Sequence, residues 1–173
     1  LAQRYEHQVG TLMAFIAQII RSIISILGQM ALVVAPPLLR IALAVPFFNS
    51  GLTKWSGFLS LSPAAEFLFE DQFKLHTFWQ AYNFPFPDAF ALFDSIAEIV
   101  LPVLLVVGLA TRFSALGLLV MTGVIQLVVP EGWANFHLPW AALAVSIIGL
   151  GPGPLSLDAL IECLWRRVQH KSQ

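Results

Sequence analysis

Arg40, Lys54, Asp94, Glu98, Gln126 and His137 stand within or at the ends of strongly apolar stretches of this sequence. Carboxylates held near cationic side chains and away from water can exchange protons and orient the oxygens of a polar ligand, so ionisable groups in such surroundings mark a functional site by default. Charge there is costly. An Asp or Arg at the centre of a membrane helix costs roughly 2.5–3.5 kcal/mol, against about 0.3–0.6 kcal/mol gained by each Leu, Ile, Phe or Val. Asp94 and Glu98 must therefore face other helices, find partners or carry a proton. The familiar catalytic signatures are missing: no Ser-His-Asp order, glycine-rich phosphate loop or HExxH occurs. The histidines His7, His76, His137 and His170 share no metal-ligand spacing, and we expect no metal site. The single cysteine, Cys163, rules out an internal disulfide or a CxxC redox pair.

The elements that must carry these groups are membrane helices. Of 173 residues, 58% are hydrophobic and only 11% charged, with a mean hydropathy of +0.79. Too few charges are present to cover a water-facing surface. The same composition excludes intrinsic disorder, and a net charge of −1 offers no basic field for nucleic acid. The sequence begins at Leu1, so we expect it to start inside a longer reading frame. No signal-peptide pattern is visible, because Arg21 interrupts the early apolar run.

About 20 apolar residues cross a bilayer core, and four segments qualify: about 31–54, 89–110, 113–129 and 138–151. Pro36-Pro37 suits the first turn of the first span. Pro130 closes the third, and Gly151-Pro152-Gly153 the fourth, which is short enough to extend back toward Trp133. The segment 11–30 is amphipathic, with Gln18, Arg21, Ser22, Ser25 and Gln29 in one polar stripe. It reads as a helix in the membrane interface, a fifth span being the competing reading. The expected fold is thus all-α: an N-terminal amphipathic helix (1–30), a four-transmembrane-helix bundle (31–164) and a tail (165–173). Arg4, Arg21, Arg112, Arg166, Arg167 and Lys171 fall on one side of these spans, which places both termini in the cytoplasm.

The connector 55–88 is rich in aromatic residues, from Phe58 to Phe86, and Ser62-Pro63 suits a helix start over 64–76. Trp55, Trp79, Trp133 and Trp140 read as an outer aromatic belt, with Trp165 on the cytoplasmic side.

At 100° per residue, Arg40, Ala44, Phe47, Gly51 and Lys54 share one face, and Ala91, Asp94, Glu98 and Leu105 another. Ala115, Thr122 and Gln126 align in the third span, and His137, Ala141, Ala144 and Ile148 in the fourth. Such faces of small and polar residues belong inside a bundle. The span boundaries put Arg40 and Glu98 about five residues apart in depth, roughly 7 Å, which predicts an Arg40–Glu98 ion pair. Asp94 can meet Lys54, Gln126 or His137. Together with Phe47 these residues would form a polar pocket in the outer half of the bundle. Pro46 and Pro102 each free a backbone carbonyl, favouring a cavity. The ion pair can equally be a pin that fixes helix register. His137, beside a membrane boundary, can equally be an interfacial or capping residue. Ser156 followed by Asp158 reads as a helix cap with a first-turn acid.

Three stretches resemble the DoxX family of small bacterial membrane proteins. They are Arg40-Ile41-Ala42-Leu43-Ala44 leading to Ser50-Gly51-Leu52-Thr53-Lys54; Glu98-Ile99 through Gly108-Leu109-Ala110-Thr111-Arg112; and His137, Trp140, then Gly151-Pro152-Gly153 with Leu155-Ser156-Leu157-Asp158. The resemblance covers about 37–164 and implies a four-helix bundle in the bacterial inner membrane with an oxidoreductase-linked role. Proteins related to the family serve as the membrane subunit of a thiosulfate:quinone oxidoreductase, and others associate with redox-defence partners. The family's recurring Arg, Lys and Glu fall on Arg40, Lys54 and Glu98. No catalytic residue is assigned. Two functions follow as expectations. One is a membrane subunit of a redox complex that binds a quinone non-covalently in the polar pocket. The other is a non-catalytic adaptor or small-molecule handler in a stress or metal-response system. A proton or ion channel is a third reading. The bilayer, redox or stress-complex proteins and a second copy of the chain are the partners considered.

Overall fold

A computed structural model describes residues 2–77 and 80–171. Phe78 and Trp79, the latter assigned above to the aromatic belt, lie outside the described residues. The chain falls into two compact units, Leu1–Ala35 and Pro36–Gln173. The molecule is mostly helical, and four helical segments are long and apolar enough to cross a membrane: Met13–Thr53, Pro87–Val107, Thr111–Val128 and Pro130–Leu150. It is a multi-pass membrane protein.

Helix α1 runs Ala2–Thr53, with Pro36, Pro37 and Pro46 in its interior. This corrects two expectations. No break separates an interfacial helix at residue 30 from a first span at 31, and Pro36-Pro37 do not open a helix. The candidate span of 41 residues is about twice what one crossing requires. In the first unit the side chains from Met13 to Val34 are exposed throughout.

In the second unit, α1 is followed by the connector. It forms a short hairpin of β1 (Trp55–Gly57) and β2 (Ser60–Leu61), then helix α2 (Pro63–Phe67) and a π-helical turn Leu68–Gln72. A second antiparallel hairpin follows, β3 (Lys74–Thr77) with β4 (Gln80–Asn83). The all-α expectation is corrected here. Ser62 caps α2 as foreseen, its Oγ accepting from the Ala65 N–H at 3.2 Å. The helix does not reach His76, because the chain turns extended at Phe73 and pairs as β3, register Leu75 to Tyr82.

Helices α3 (Pro87–Val107), α4 (Thr111–Val128), α5 (Leu138–Leu150) and α6 (Leu157–Lys171) complete the fold. Helical turns Pro130–Gly132 and Trp133–His137 lengthen α5 backward, as its short apolar run had suggested. Leu43, Ala44 and Phe47 of α1, Leu105 of α3, Ala115 and Leu118 of α4, and Ala144 and Ile147 of α5 form one core. Small residues let the backbones approach: a Cβ on Gly51 would stand 2.9 Å from the Glu98 Cβ. Leu157, Leu160, Ile161, Leu164, Trp165 and Val168 of α6 recur at helical spacing and are all exposed. This apolar stripe suits a membrane surface; the sequence reading had treated 165–173 only as a tail.

The α3–α4 turn is unusually tight. Gly108 (φ +75°) and Ala110 (φ 49°) are both left-handed, a conformation that costs a residue with a Cβ. Asp158 secures it. Its carboxylate accepts from the Ala110 N–H at 2.8 Å and the Thr111 N–H at 2.9 Å, and its own N–H donates to the Gly108 carbonyl at 2.8 Å. Asp158 thus caps α4 as well as lying in the first turn of α6, whose cap is Ser156, accepting from the Ala159 N–H at 3.1 Å. Partial burial works to raise the Asp158 carboxyl. The hydrogen bonds from Thr111 and Ala110, with the Arg40 charge, outweigh it and hold the group below its ordinary value.

Candidate functional site

Lys54 follows the last turn of α1, and its backbone is held on both sides. Its N–H donates to the Gly51 carbonyl at 3.1 Å, and its carbonyl accepts from the Ser62 N–H at 2.8 Å. This fixes the root of the side chain at the point where the first hairpin returns. Asp94 and Glu98 lie one turn apart on α3 and face it. The Lys54 ammonium hydrogen-bonds to Asp94 Oδ2 and stands 2.9 Å from Glu98 Oε2. That second contact is an ion pair without hydrogen-bond alignment, so the buried Glu98 Oε2 sits beside a cation with lone pairs still open. The Lys54 and Glu98 side chains are 11% and 4% exposed, and Asp94 is more open at 25%.

These charges line a cavity of about 420 Å³. Phe47 and Ser50 of α1, Phe90 of α3, Ile125 and Val128 of α4, and Trp140 contribute to its helical walls. The connector contributes Ala65, Leu68, Phe69, Phe73 and Phe84. Phe69 sits at the centre of this aromatic cover, 5.3 Å from Phe73 edge-on and 5.7 Å from Phe84. The Lys54 ammonium lies 5.5 Å from the Phe69 ring centre, within cation–π range. On the opposite wall the Phe47 and Trp140 rings meet at 5.1 Å. The result is an aromatic slot with one cation and two carboxylates gathered together, in the ~300–1,000 Å³ range of small-molecule sites.

Of the residues singled out from sequence, Phe47, Lys54, Asp94 and Glu98 line this cavity; Arg40, Gln126 and His137 do not. Gln126 and His137 bond to each other beside it. His137 Nδ1 lies 2.6 Å from Gln126 Oε1, which assigns the proton to Nδ1, and the imidazole ring lies 5.6 Å from Trp140. The expected Arg40–Glu98 ion pair is not formed. Glu98 is level with Gly51 on α1, eleven residues beyond Arg40, or about 16 Å along a helix. The axial register of α1 against α3 is set by the close Gly51–Glu98 crossing and not by where the apolar runs begin.

Arg40 instead ties together the opposite end of the second unit. Its guanidinium donates to the Leu155 carbonyl at 2.5 Å, and to the Val106 and Pro36 carbonyls at 3.4 Å. It is 2% exposed, and a Cβ on Gly108 would collide with it. Trp140, read from sequence as part of the outer belt, forms a cavity wall and packs on Phe47. Sequence reasoning missed Phe69, Phe73 and Phe84 as wall residues. The aromatic density of 55–88 was the available signal. Among the described residues, no group of three or more His, Cys, Asp or Glu side chains is placed to hold a metal ion.

The sequence profile described as DoxX matches residues 35–131, which include Phe47, Lys54, Asp94, Glu98 and the whole connector. An uncharacterized protein of Haemophilus influenzae (strain ATCC 51907 / DSM 11121 / KW20 / Rd) is 32% identical over 146 residues, covering 72% of this chain and 82% of the relative. No solved structure matches the chain.

Proposed function

The chain belongs to the DoxX family, and on that premise we propose that it is the membrane subunit of a redox system that binds a quinone-type ring in the Lys54–Asp94–Glu98 cavity. The observation that carries this reading is the pairing of aromatic walls with an ammonium and two carboxylates inside one apolar slot. The residues fit such a ring. Phe47, Trp140 and Phe69 offer faces to stack on, Lys54 can donate to a ring oxygen, and Asp94, the more open carboxylate, can pass protons between Glu98 and water. Interconversion of a quinone and its hydroquinone moves two electrons and two protons. The chain's own residues handle the protons and the positioning, and an electron-carrying partner protein exchanges the electrons. The protein is assigned to the bacterial inner membrane with both termini cytoplasmic, which puts the cavity near the outer face.

The test is equilibrium dialysis of the detergent-solubilised chain against 1,4-naphthoquinone. Lys54→Ala and Phe47→Ala should each weaken binding about tenfold or more, with folding checked by thermal unfolding. Unchanged binding in both folded variants refutes the site.

Phe58 and Phe86 favour a second reading, a non-catalytic adaptor. They are 96% and 81% exposed on the connector and could seat a partner protein. Phe58→Ser with Phe86→Ser should then abolish co-purification of that partner while ring binding survives. Retained partners would rule it out.

A further inference from the structure

We infer that the cavity selects a ring bearing a phenolic hydroxyl over the same ring bearing a carbonyl or an ether, and that Glu98 Oε2 is the atom that selects it. The inference rests on the ring-binding reading above and specifies which chemical form is held.

The argument begins with hydrogen-bond supply and demand. Lys54 gives one of its three N–H donors to Asp94, and its charge is shared with Glu98 at 2.9 Å. Two carboxylates face one ammonium, so the group carries acceptor capacity in excess of its donors. That excess has a specific address. Glu98 lines the cavity, and its buried Oε2 stands 2.9 Å from the Lys54 ammonium without an aligned hydrogen bond, so it keeps lone pairs open to a donor. The Lys54 charge offsets part of the cost of an acceptor without an aligned donor in an apolar slot, and a ligand that brings a donor removes the remainder.

The two forms of a quinone-type ring differ in this respect. A quinone carbonyl only accepts, so it can take a remaining N–H of Lys54 but leaves the open lone pairs of Glu98 Oε2 unmet. A phenolic O–H donates, and can meet Glu98 Oε2 while leaving the Lys54–Asp94 hydrogen bond intact. The resulting O–H···O⁻ bond is charge-assisted and so among the stronger kinds. The aromatic walls restrict the donor further, because Phe47, Phe69 and Trp140 favour a flat ring over a flexible alcohol. Sites built to hydrogen-bond a hydroxyl reject analogues lacking it more strongly than apolar pockets reject a change in size.

Three naphthalene probes separate the possibilities: 2-naphthol, 2-methoxynaphthalene and 1,4-naphthoquinone, each dialysed against the full chain in detergent at neutral pH. The inference expects 2-naphthol to bind about tenfold tighter or more than the other two. Glu98→Gln should reduce that advantage to about twofold while leaving the ether's affinity unchanged. Equal binding of naphthol and ether to the unmodified protein, or a preference for the naphthoquinone, overturns the inference and leaves the ring-binding reading standing. Failure of all three probes to bind overturns both. The comparison among probes is made on the unmodified chain, so it decides the matter even if Glu98→Gln does not fold.

Discussion

Removing the Lys54 ammonium tests the electrostatic account of the cavity most directly. In Lys54→Met the aliphatic stem is replaced by one of similar length, so packing against Phe69 is largely kept while the charge is lost. Asp94 and Glu98 then face each other across one turn of α3 with no counter-ion. Breaking a buried ion pair by removing one partner costs about 3–5 kcal/mol, because the remaining charge stays desolvated. Glu98, 4% exposed, cannot rehydrate; Asp94, 25% exposed, partly can. The lower end of the range, about 3 kcal/mol, is therefore expected. For a chain of this length that corresponds to a fall in melting temperature on the order of 6–12 °C. Glu98→Gln should behave differently. It removes the excess negative charge and leaves a balanced Lys54–Asp94 pair, so its melting temperature should stay near that of the parent. The double variant should regain part of what Lys54→Met loses, giving a coupling energy of about 1–2 kcal/mol. The assay is thermal unfolding of the four proteins in one detergent at pH 7. If Glu98→Gln destabilises as much as Lys54→Met, or if the two effects simply add, the charge-balance reasoning is refuted.

Asp158→Asn should unfold more easily at pH 7 by about 1 kcal/mol, the usual scale of a lost helix cap. The folded Asp158 carboxyl lies below its ordinary value of 3.8, so its stabilisation is complete above that value and is lost as pH falls through the lower folded one. The gap between parent and variant should hold at neutral pH and close on acidification below about pH 4; a gap that does not change with pH would contradict this. Arg40→Lys keeps the charge but loses the planar fork that reaches Val106, Leu155 and Pro36. It should cost about 2 kcal/mol while leaving naphthoquinone binding within twofold; a large loss of affinity would place Arg40 in the site. Gly51→Ala puts a methyl 2.9 Å from both Glu98 Cβ and Ile99 Cδ1. Overpacking of about 1–3 kcal/mol should separate α1 from α3 and weaken ring binding, and unaltered stability would show that this crossing is looser than described. Cys163, the single cysteine and exposed, should react with a membrane-impermeant maleimide only when the cytoplasmic face is opened; labelling in intact cells would reverse the proposed orientation.

The sequence by itself determined that this is a helical membrane protein, because hydropathy and helix length are properties of contiguous residues and need no partner to be read. It also showed which faces turn inward. Ala44 and Phe47, Ala91 and Glu98, Ala115 and Thr122, and His137 and Ala144 are all buried, since a 3.6-residue period is local information. The tertiary structure decided depth and partnership. Glu98 pairs with Lys54 and not Arg40 because axial register depends on how far α1 runs past its prolines and on the close Gly51–Glu98 crossing, and neither is visible in a hydropathy profile. Likewise, aromatic density in the connector was plain in sequence, but only the π-helical turn at Leu68–Gln72, the extended backbone at Phe73 and the β3–β4 hairpin bring Phe69, Phe73 and Phe84 into one cavity wall. Position along a helix is written in the chain; position between helices is set by packing, which no single segment contains.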